Sequence, residues 1–99
     1  MNSPKSIPPK PMFTASELVS DKKYCVIKNF TDYYGVSHPI GECWKFVEKH
    51  FLPYEDGLTL HCQKDGQDYS IHLQWREETQ GEIIDNFYLY VQEVENQQE

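Results

Sequence analysis

The sequence predicts a small, mainly β domain of the α+β kind: four to five antiparallel strands in a meander or open barrel, a helical turn in front, and an amphipathic helix at the C-terminal end. Three observations predict it. Short alternating apolar runs begin at Lys23, a hairpin around Asp65-Gly66 checks its own register, and a stretch after Thr79 repeats apolar residues at spacings of three, four and seven. Length agrees: of 99 residues, about eighty-five remain once a proline-rich start is set aside, too few for a deep substrate cavity or a dinucleotide-binding sheet. Aromatic residues, at 14% of the chain, supply much of the burial that the aliphatic ones do not.

Residues 1–12 hold Pro4, Pro8, Pro9 and Pro11 and almost nothing that packs, so they read as a disordered proline-rich arm whose removal leaves the fold intact. Pro8 and Pro11 have PxxP spacing, which a short proline tract also produces by chance. A single globular domain spans 13–96, and 97–99 form a polar tail. Thr14 and Glu17 stand in capping-box relation and predict one or two helical turns over 15–20. In the strand that starts at Lys23, Tyr24 and Val26 point one way and Cys25, Ile27 and Phe30 the other, so it is buried on both faces or carries a bulge near Asn29. Asp32-Tyr33-Tyr34-Gly35 is turn chemistry, and a loop with Pro39 and Gly41 follows. Residues 43–51 fit a helical stripe through Trp44, Val47 and Phe51 and also a strand through Trp44 and Phe46. Gly41 and Pro53 leave little room for a helix, which favours the strand.

The most specific local argument concerns residues 58–76. If Asp65-Gly66 forms a two-residue turn, Leu58 faces Leu73, Leu60 faces Ile71 and Cys62 faces Tyr69 on one side, while Thr59 faces His72 and His61 faces Ser70 on the other. A slip by one residue would set apolar against polar throughout, so the pattern fixes the register. A second capping box, Thr79-Gln80-Gly81-Glu82, then opens the predicted helix, with Ile83, Ile84, Phe87, Tyr90, Val91 and Val94 as its apolar stripe and Glu82, Asp85, Glu93 and Glu95 as its solvated face.

The net charge is −7 and uneven: residues 1–50 carry seven Lys against five acids, residues 51–99 eleven acids against Lys64 and Arg76. Nucleic acid is an improbable partner, because phosphate binding needs a lysine and arginine face and this chain has one arginine. The acidic half suits a basic protein partner or serves solubility. No run approaches the length of a membrane span, and no apolar run follows the N-terminal lysines, so neither a membrane anchor nor a signal peptide is expected. Cys25, Cys43 and Cys62 form an odd, widely spaced set without a CxxC, which predicts three reduced, inert thiols and a cytoplasmic protein.

The stretch from Tyr24 to Val91 resembles a family of small, uncharacterised, mostly bacterial domains of unknown function. The carrying residues are Phe30-Thr-Asp32-Tyr33-Tyr-Gly35 with His38 and Gly41-Glu42-Cys-Trp44, then Phe51-Leu-Pro53-Tyr54-Glu55-Asp56-Gly57-Leu58, then Leu73-Gln74-Trp75-Arg76. The Phe-Leu-Pro-Tyr-Glu-Asp-Gly-Leu run is the specific part. The resemblance implies a small β-rich domain, a partly open barrel similar to SH3-like domains, and brings no activity, cofactor or catalytic residue with it.

Three groupings invite a function. His61 and His72 share a face of the predicted hairpin and could begin a zinc site, but no third ligand is supplied locally, so no metal is expected. His38 and Glu42, with Asp32 nearby, could serve a small hydrolytic enzyme as base and orienter. No nucleophile elbow, phosphate loop or HExxH accompanies them, and a histidine tying down its own loop explains them as well. Tyr33, Tyr34, Tyr54 and Trp75 exceed what a small core needs; beside Glu55 and Asp56 they would form an aromatic and acidic patch for a basic partner. The sequence therefore points to a non-enzymatic protein-binding module without a cofactor, with an immunity-type neutraliser of a basic toxin or nuclease as the alternative.

Overall fold

The computed structural model describes residues 12–95; residues 1–11 of the proline-rich arm, residue 96 at the end of the expected domain and the tail 97–99 lie outside the described residues. Seven strands form in chain order: β1 (Lys23–Val26), β2 (Phe30–Thr31), β3 (Ser37–His38), β4 (Cys43–Leu52), β5 (Gly57–Lys64), β6 (Gln67–Gln74) and β7 (Val91–Val94). Five of them make one antiparallel sheet in the order β6-β5-β4-β1-β7, and β2 with β3 forms a separate hairpin. The sheet does not close, so the architecture is mainly β and open.

The β5–β6 hairpin has the register that alternation predicts, from Leu58 opposite Leu73 to Lys64 opposite Gln67. Gly66 takes a left-handed φ of +78°, and Asp65 is also positive at 54°, as a two-residue turn of this hand demands. Residues 43–52 are a strand, and its bulge lies between Phe46 and Glu48. Phe46 faces Cys62 in the core, whereas Glu48 faces His61 on the other side. The bulge expected near Asn29 does not exist, because β1 ends at Val26. Thr14 and Glu17 do start a turn: Thr14 N–H donates to Glu17 Oε1 at 2.8 Å, although the helical segment is only the 3-10 turn Ala15–Glu17.

The C-terminal amphipathic helix is the principal correction. Only α1 (Gly81–Asp85) is α-helical; a 3-10 turn follows over Phe87–Leu89, and Val91–Val94 pair with β1. Thr79 does not cap α1, since its hydroxyl donates instead to the carbonyls of Gln74 at 3.1 Å and Arg76 at 3.3 Å. Gly81 passes so close to Arg76 that an added Cβ would lie 2.6 Å from that carbonyl oxygen, so the chain is folded back before the helix begins. At the other end the Asn86 amide donates to Glu82 O at 3.1 Å and competes for a helical carbonyl. β1 then offers an unpaired edge, and β-branched Val91 and Val94 complete it. Ile84, Phe87, Tyr90 and Val91 are nonetheless all buried, so the apolar spacing identified core residues while misjudging their backbone.

The core lies on one face of the sheet. Trp44, Phe46, Leu58, Leu60, Ile71 and Leu73 meet Phe30 and His38 from the β2–β3 hairpin and Ile84 and Phe87 from the C-terminal turns. The Trp44 indole N–H is the one buried side-chain polar atom without a hydrogen-bond partner among the described residues. On the outer face Thr59 is buried rather than exposed; its hydroxyl lies 3.2 Å from His72 Nδ1.

Strand pairing also overturns the cysteine expectation. Cys25 and Cys43 are cross-strand partners of β1 and β4, with Cα atoms 4.0 Å apart, and form a disulfide; Cys62 alone is free. Eighteen residues separate the pair in sequence, so only the sheet register brings them together. The cysteines therefore no longer argue for a reducing compartment. Burial, and to a smaller extent Glu42, pushes the Cys62 thiol up to about 12, which keeps it inert at neutral pH.

Two outcomes follow from this architecture. Leu60→Asp should destabilise by several kcal/mol because it buries an unpaired charge, whereas Gln63→Asp on an exposed position of the same strand should change stability by about 0.5 kcal/mol or less; thermal unfolding compares them, and equal midpoints would refute the register argument. Thiol titration of protein unfolded without reductant should count one thiol, and reduction should remove about 3 kcal/mol of stability, the value for a loop of this size.

Candidate functional site

The β2–β3 hairpin is built by Asp32. Its Oδ1 accepts from the N–H groups of Tyr34 at 2.9 Å and Val36 at 3.0 Å, while Gly35 N–H donates to Asp32 O at 3.0 Å. Gly35, at φ +84°, supplies the left-handed residue that this turn requires. The turn holds Tyr33 and Tyr34 at the hairpin tip. Tyr33 N–H donates to His72 O of β6 at 2.7 Å, and the Tyr34 ring stacks on the His72 imidazole at 4.2 Å between centroids.

Beneath the tip lies a buried ionic network. His38 is fully buried and stacked on Phe30 at 4.8 Å; its Nε2 faces Asp32 Oδ2 at 3.0 Å and its Nδ1 faces Glu42 Oε1 at 2.7 Å. Glu42 Oε2 accepts from Tyr69 OH at 2.6 Å and from Lys64 Nζ at 2.9 Å. Both ring nitrogens thus point at carboxylates, and the Tyr69 hydroxyl lies 3.2 Å from Nδ1 as well. Burial would raise the Glu42 pKa, but the hydrogen bonds from Tyr69, Lys64 and His38 outweigh it and hold that carboxyl below its ordinary value. The Tyr69 phenol is pushed up, first by burial and then by its bond to Glu42. Of this network the sequence singled out His38, Glu42 and Asp32. Tyr69 and Lys64 were missed, because they come from the β5–β6 hairpin and only tertiary folding brings them near.

The residues of the expected aromatic and acidic patch divide into two groups. Tyr33 and Tyr34 sit at the hairpin tip, 44% and 66% exposed. Tyr54, Glu55 and Asp56 lie in the short connection from β4 to β5, where Tyr54 is 99% exposed. Trp75 joins this second group: its N–H donates to Asp56 O at 2.7 Å, its ring meets Phe51 edge-on at 6.2 Å, and its indole N–H donates to Asp85 Oδ1 at 2.9 Å. Asp56 is not an unpaired acid, since Arg76 Nε donates to its Oδ2 at 2.9 Å. That bond raises the Arg76 pKa, and because Tyr33 N–H reaches His72 O while Trp75 N–H reaches Asp56 O, the tip and the connection share one end of β6. Beside Trp75 and Arg76 the acids Glu77, Glu82 and Asp85 line a notch of about 330 Å³, which pairwise reading of the sequence did not anticipate.

The two histidines of the β5–β6 hairpin do not converge. His72 is taken by Tyr34 and Thr59, whereas His61 packs edge-on against His50 at 4.7 Å and lies near Ser70. Among the described residues no group of three His, Cys, Asp or Glu side chains is placed to hold a metal ion, and no helix is long and apolar enough to cross a membrane.

Fold and site define a small open β domain whose hairpin is pinned by buried charges and whose exposed tyrosines surround one sheet end. The chain belongs to the family described as Domain of unknown function (DUF3601), whose model matches residues 10–96. Among solved structures it is similar to an integron cassette protein from the mobile metagenome of Vibrio cholerae, with 31% identity and a TM-score of 0.77, covering 81% of this chain and 89% of that one. No curated protein matches.

The network sets an expectation for acid stability. Because the folded Glu42 carboxyl is depressed, its contribution is present above the ordinary glutamate value and is lost as the pH falls through the lower folded value. Glu42→Gln should destabilise the neutral protein by about 3 kcal/mol or more, as removal of one partner from a buried ion pair does, and should flatten the acid limb of the stability profile. Chemical unfolding across pH 2–7, taken as about that range around the carboxylate values, checks both; a parallel profile for variant and parent would show that Glu42 is not the group responsible.

Proposed function

We propose that this domain is a non-enzymatic protein-binding module and that its contact surface is the sheet end carrying Tyr33, Tyr34, Tyr54, Glu55, Asp56 and Trp75. The observation that carries the reading is the exposure of several large aromatic side chains on short turns, with Tyr54 99% exposed and Phe51 adding apolar surface beside Trp75. Aromatic residues held this way lose little conformational entropy on binding and are the usual anchors of protein interfaces. The notch beside Trp75 supports a basic partner, because its three carboxylates outnumber its one cation, Arg76, which is paired with Asp56, and the indole ring adds a face for a lysine or arginine side chain. The same chemistry supports the second reading, an immunity-type neutraliser whose partner is a basic toxin or nuclease. A hydrolytic role for His38 and Glu42 gains no support, since both ring nitrogens are engaged and the imidazole presents no surface to a substrate.

Affinity capture at low and high salt tests this with three proteins: the parent, a Tyr34→Ala/Tyr54→Ala variant, and a Glu55→Lys/Glu77→Lys variant. The parent should hold a basic protein in a salt-sensitive complex, the aromatic variant should lose it at every salt concentration, and the charge reversal should slow association by about tenfold at low salt. Stability should shift by about 0.5 kcal/mol or less in the reversed protein. A partner whose binding ignores both sets of substitutions would place the contact elsewhere.

A further inference from the structure

The Cys25–Cys43 disulfide closes a covalent ring, and what lies within the ring is specific. Phe30, Asp32, Tyr33, Tyr34, His38 and Glu42 all stand between the two cysteines, so the ring holds the whole β2–β3 hairpin together with its imidazole and both carboxylates. The bond sits at the base of that hairpin, beside the hydrogen bonds from Val26 N–H to Glu42 O at 2.7 Å and from Gly41 N–H to Val26 O at 2.9 Å. Cys25 alternates with buried Tyr24 and Val26, and Cys43 precedes buried Trp44, so the sulfurs lie on the outer face of the sheet. Both cysteines are half-buried there and open to a small thiol. Cys62 faces Phe46 in the core, on the other side of the sheet, so thiol exchange is confined to the pair.

We propose that this disulfide is a redox gate on the hairpin tip, holding Tyr33 and Tyr34 in order while the bond stands and releasing them when it is reduced; as regulation, this rests on the reading of the tip as part of the contact surface. The register between β1 and β4 is three residue pairs long, and one of the three is the disulfide itself. Another sets Lys23 opposite Lys45, and like charges directly opposite one another weaken a strand pair. The hairpin above this seam has two residues in each strand and depends on its base being held. While the bond is intact the two ends of the segment cannot part, so every opening of the hairpin leaves a closed loop. Reduction removes that restriction. The backbone bonds of Phe46 to Asp21 and Lys22 remain, as does the β5–β6 pairing, so the effect falls on the ring and not on the sheet. A dithiol supplies the chemistry. One of its thiolates attacks a cysteine sulfur and expels the other cysteine as thiolate, and its second thiol then displaces the mixed disulfide. Two electrons and two protons pass to the protein, which ends with two thiols, and the reductant ends as a disulfide.

The test uses the full chain, oxidised and after reduction with dithiothreitol, and reads backbone amide order parameters by NMR relaxation. In the oxidised protein Tyr33, Tyr34 and Val36 should have the value of a rigid backbone, about 0.85, and on reduction they should fall below about 0.6, while the amides of β5 and β6 keep theirs. Reoxidation should restore the tip, and a Cys25→Ser/Cys43→Ser variant without reductant should match the reduced parent. The proposal fails if the tip has the same order parameters in both redox states. It fails as well if β5 and β6 lose order together with the tip, in the reduced parent or in the variant, because the bond would then be a general staple. Partner capture by the oxidised and reduced proteins separates this outcome from that of the contact surface: a tip that loosens on reduction with capture unchanged leaves the gate standing and removes Tyr33 and Tyr34 from that surface.

Discussion

One imidazole placed between two carboxylates holds this molecule in shape. The β2–β3 hairpin has only two residues in each strand, far too few to be stable alone. His38 joins its turn, through Asp32, to the residue that precedes β4, through Glu42, and Glu42 in turn ties it to β5 and β6 through Lys64 and Tyr69. Buried charges are costly unless they are partnered, and here Asp32 accepts from two backbone N–H groups and Glu42 from Lys64 and Tyr69. The result is a rigid tip carrying two exposed tyrosines on a chain segment with almost no regular structure of its own.

Charge bookkeeping on the acidic half acquires a different meaning from this arrangement. Lys64 and Arg76 are the only bases between residues 51 and 99, and both are committed internally, one to Glu42 and the other to Asp56. Lys64 moreover neutralises a residue of the other half, and Arg76 stiffens the connection that carries Tyr54. The notch beside Trp75 thus holds Arg76 together with Glu77, Glu82 and Asp85, of which Asp85 accepts from the Trp75 indole and Glu82 from the Tyr90 hydroxyl.

Legibility in the sequence followed the range of the interactions. The β5–β6 hairpin was readable to the residue because its determinants, alternation and an Asp-Gly turn, lie within one short segment. The burial of Ile84, Phe87, Tyr90 and Val91 was readable too, but their spacing suits a helix and an irregular turn alike, and the deciding influence was the open edge of β1, remote in sequence. The disulfide was invisible for the same reason: two cysteines become neighbours only when β1 is known to pair with β4. At the site, Asp32, His38 and Glu42 stood close enough in sequence to be noticed together, whereas Tyr69 read as a core aromatic and Lys64 as a turn residue. The structure kept the noticed trio and gave it a bracing role, while the residues of the expected patch divide between the hairpin tip and the connection from β4 to β5.

The strand order carries a consequence for how the chain acquires its structure. β4, β5 and β6 are successive neighbours and can pair as soon as they exist, and β1 can join β4, whereas the outer edge of β1 must wait for β7, with Lys23 meeting Val94. During vectorial synthesis the first strand of the sheet thus emerges early with one edge unfilled until nearly all of the described chain has followed. Closing so large a loop is slow compared with forming a hairpin, which makes the docking of β7 the natural last event of folding and its release the natural first event of opening.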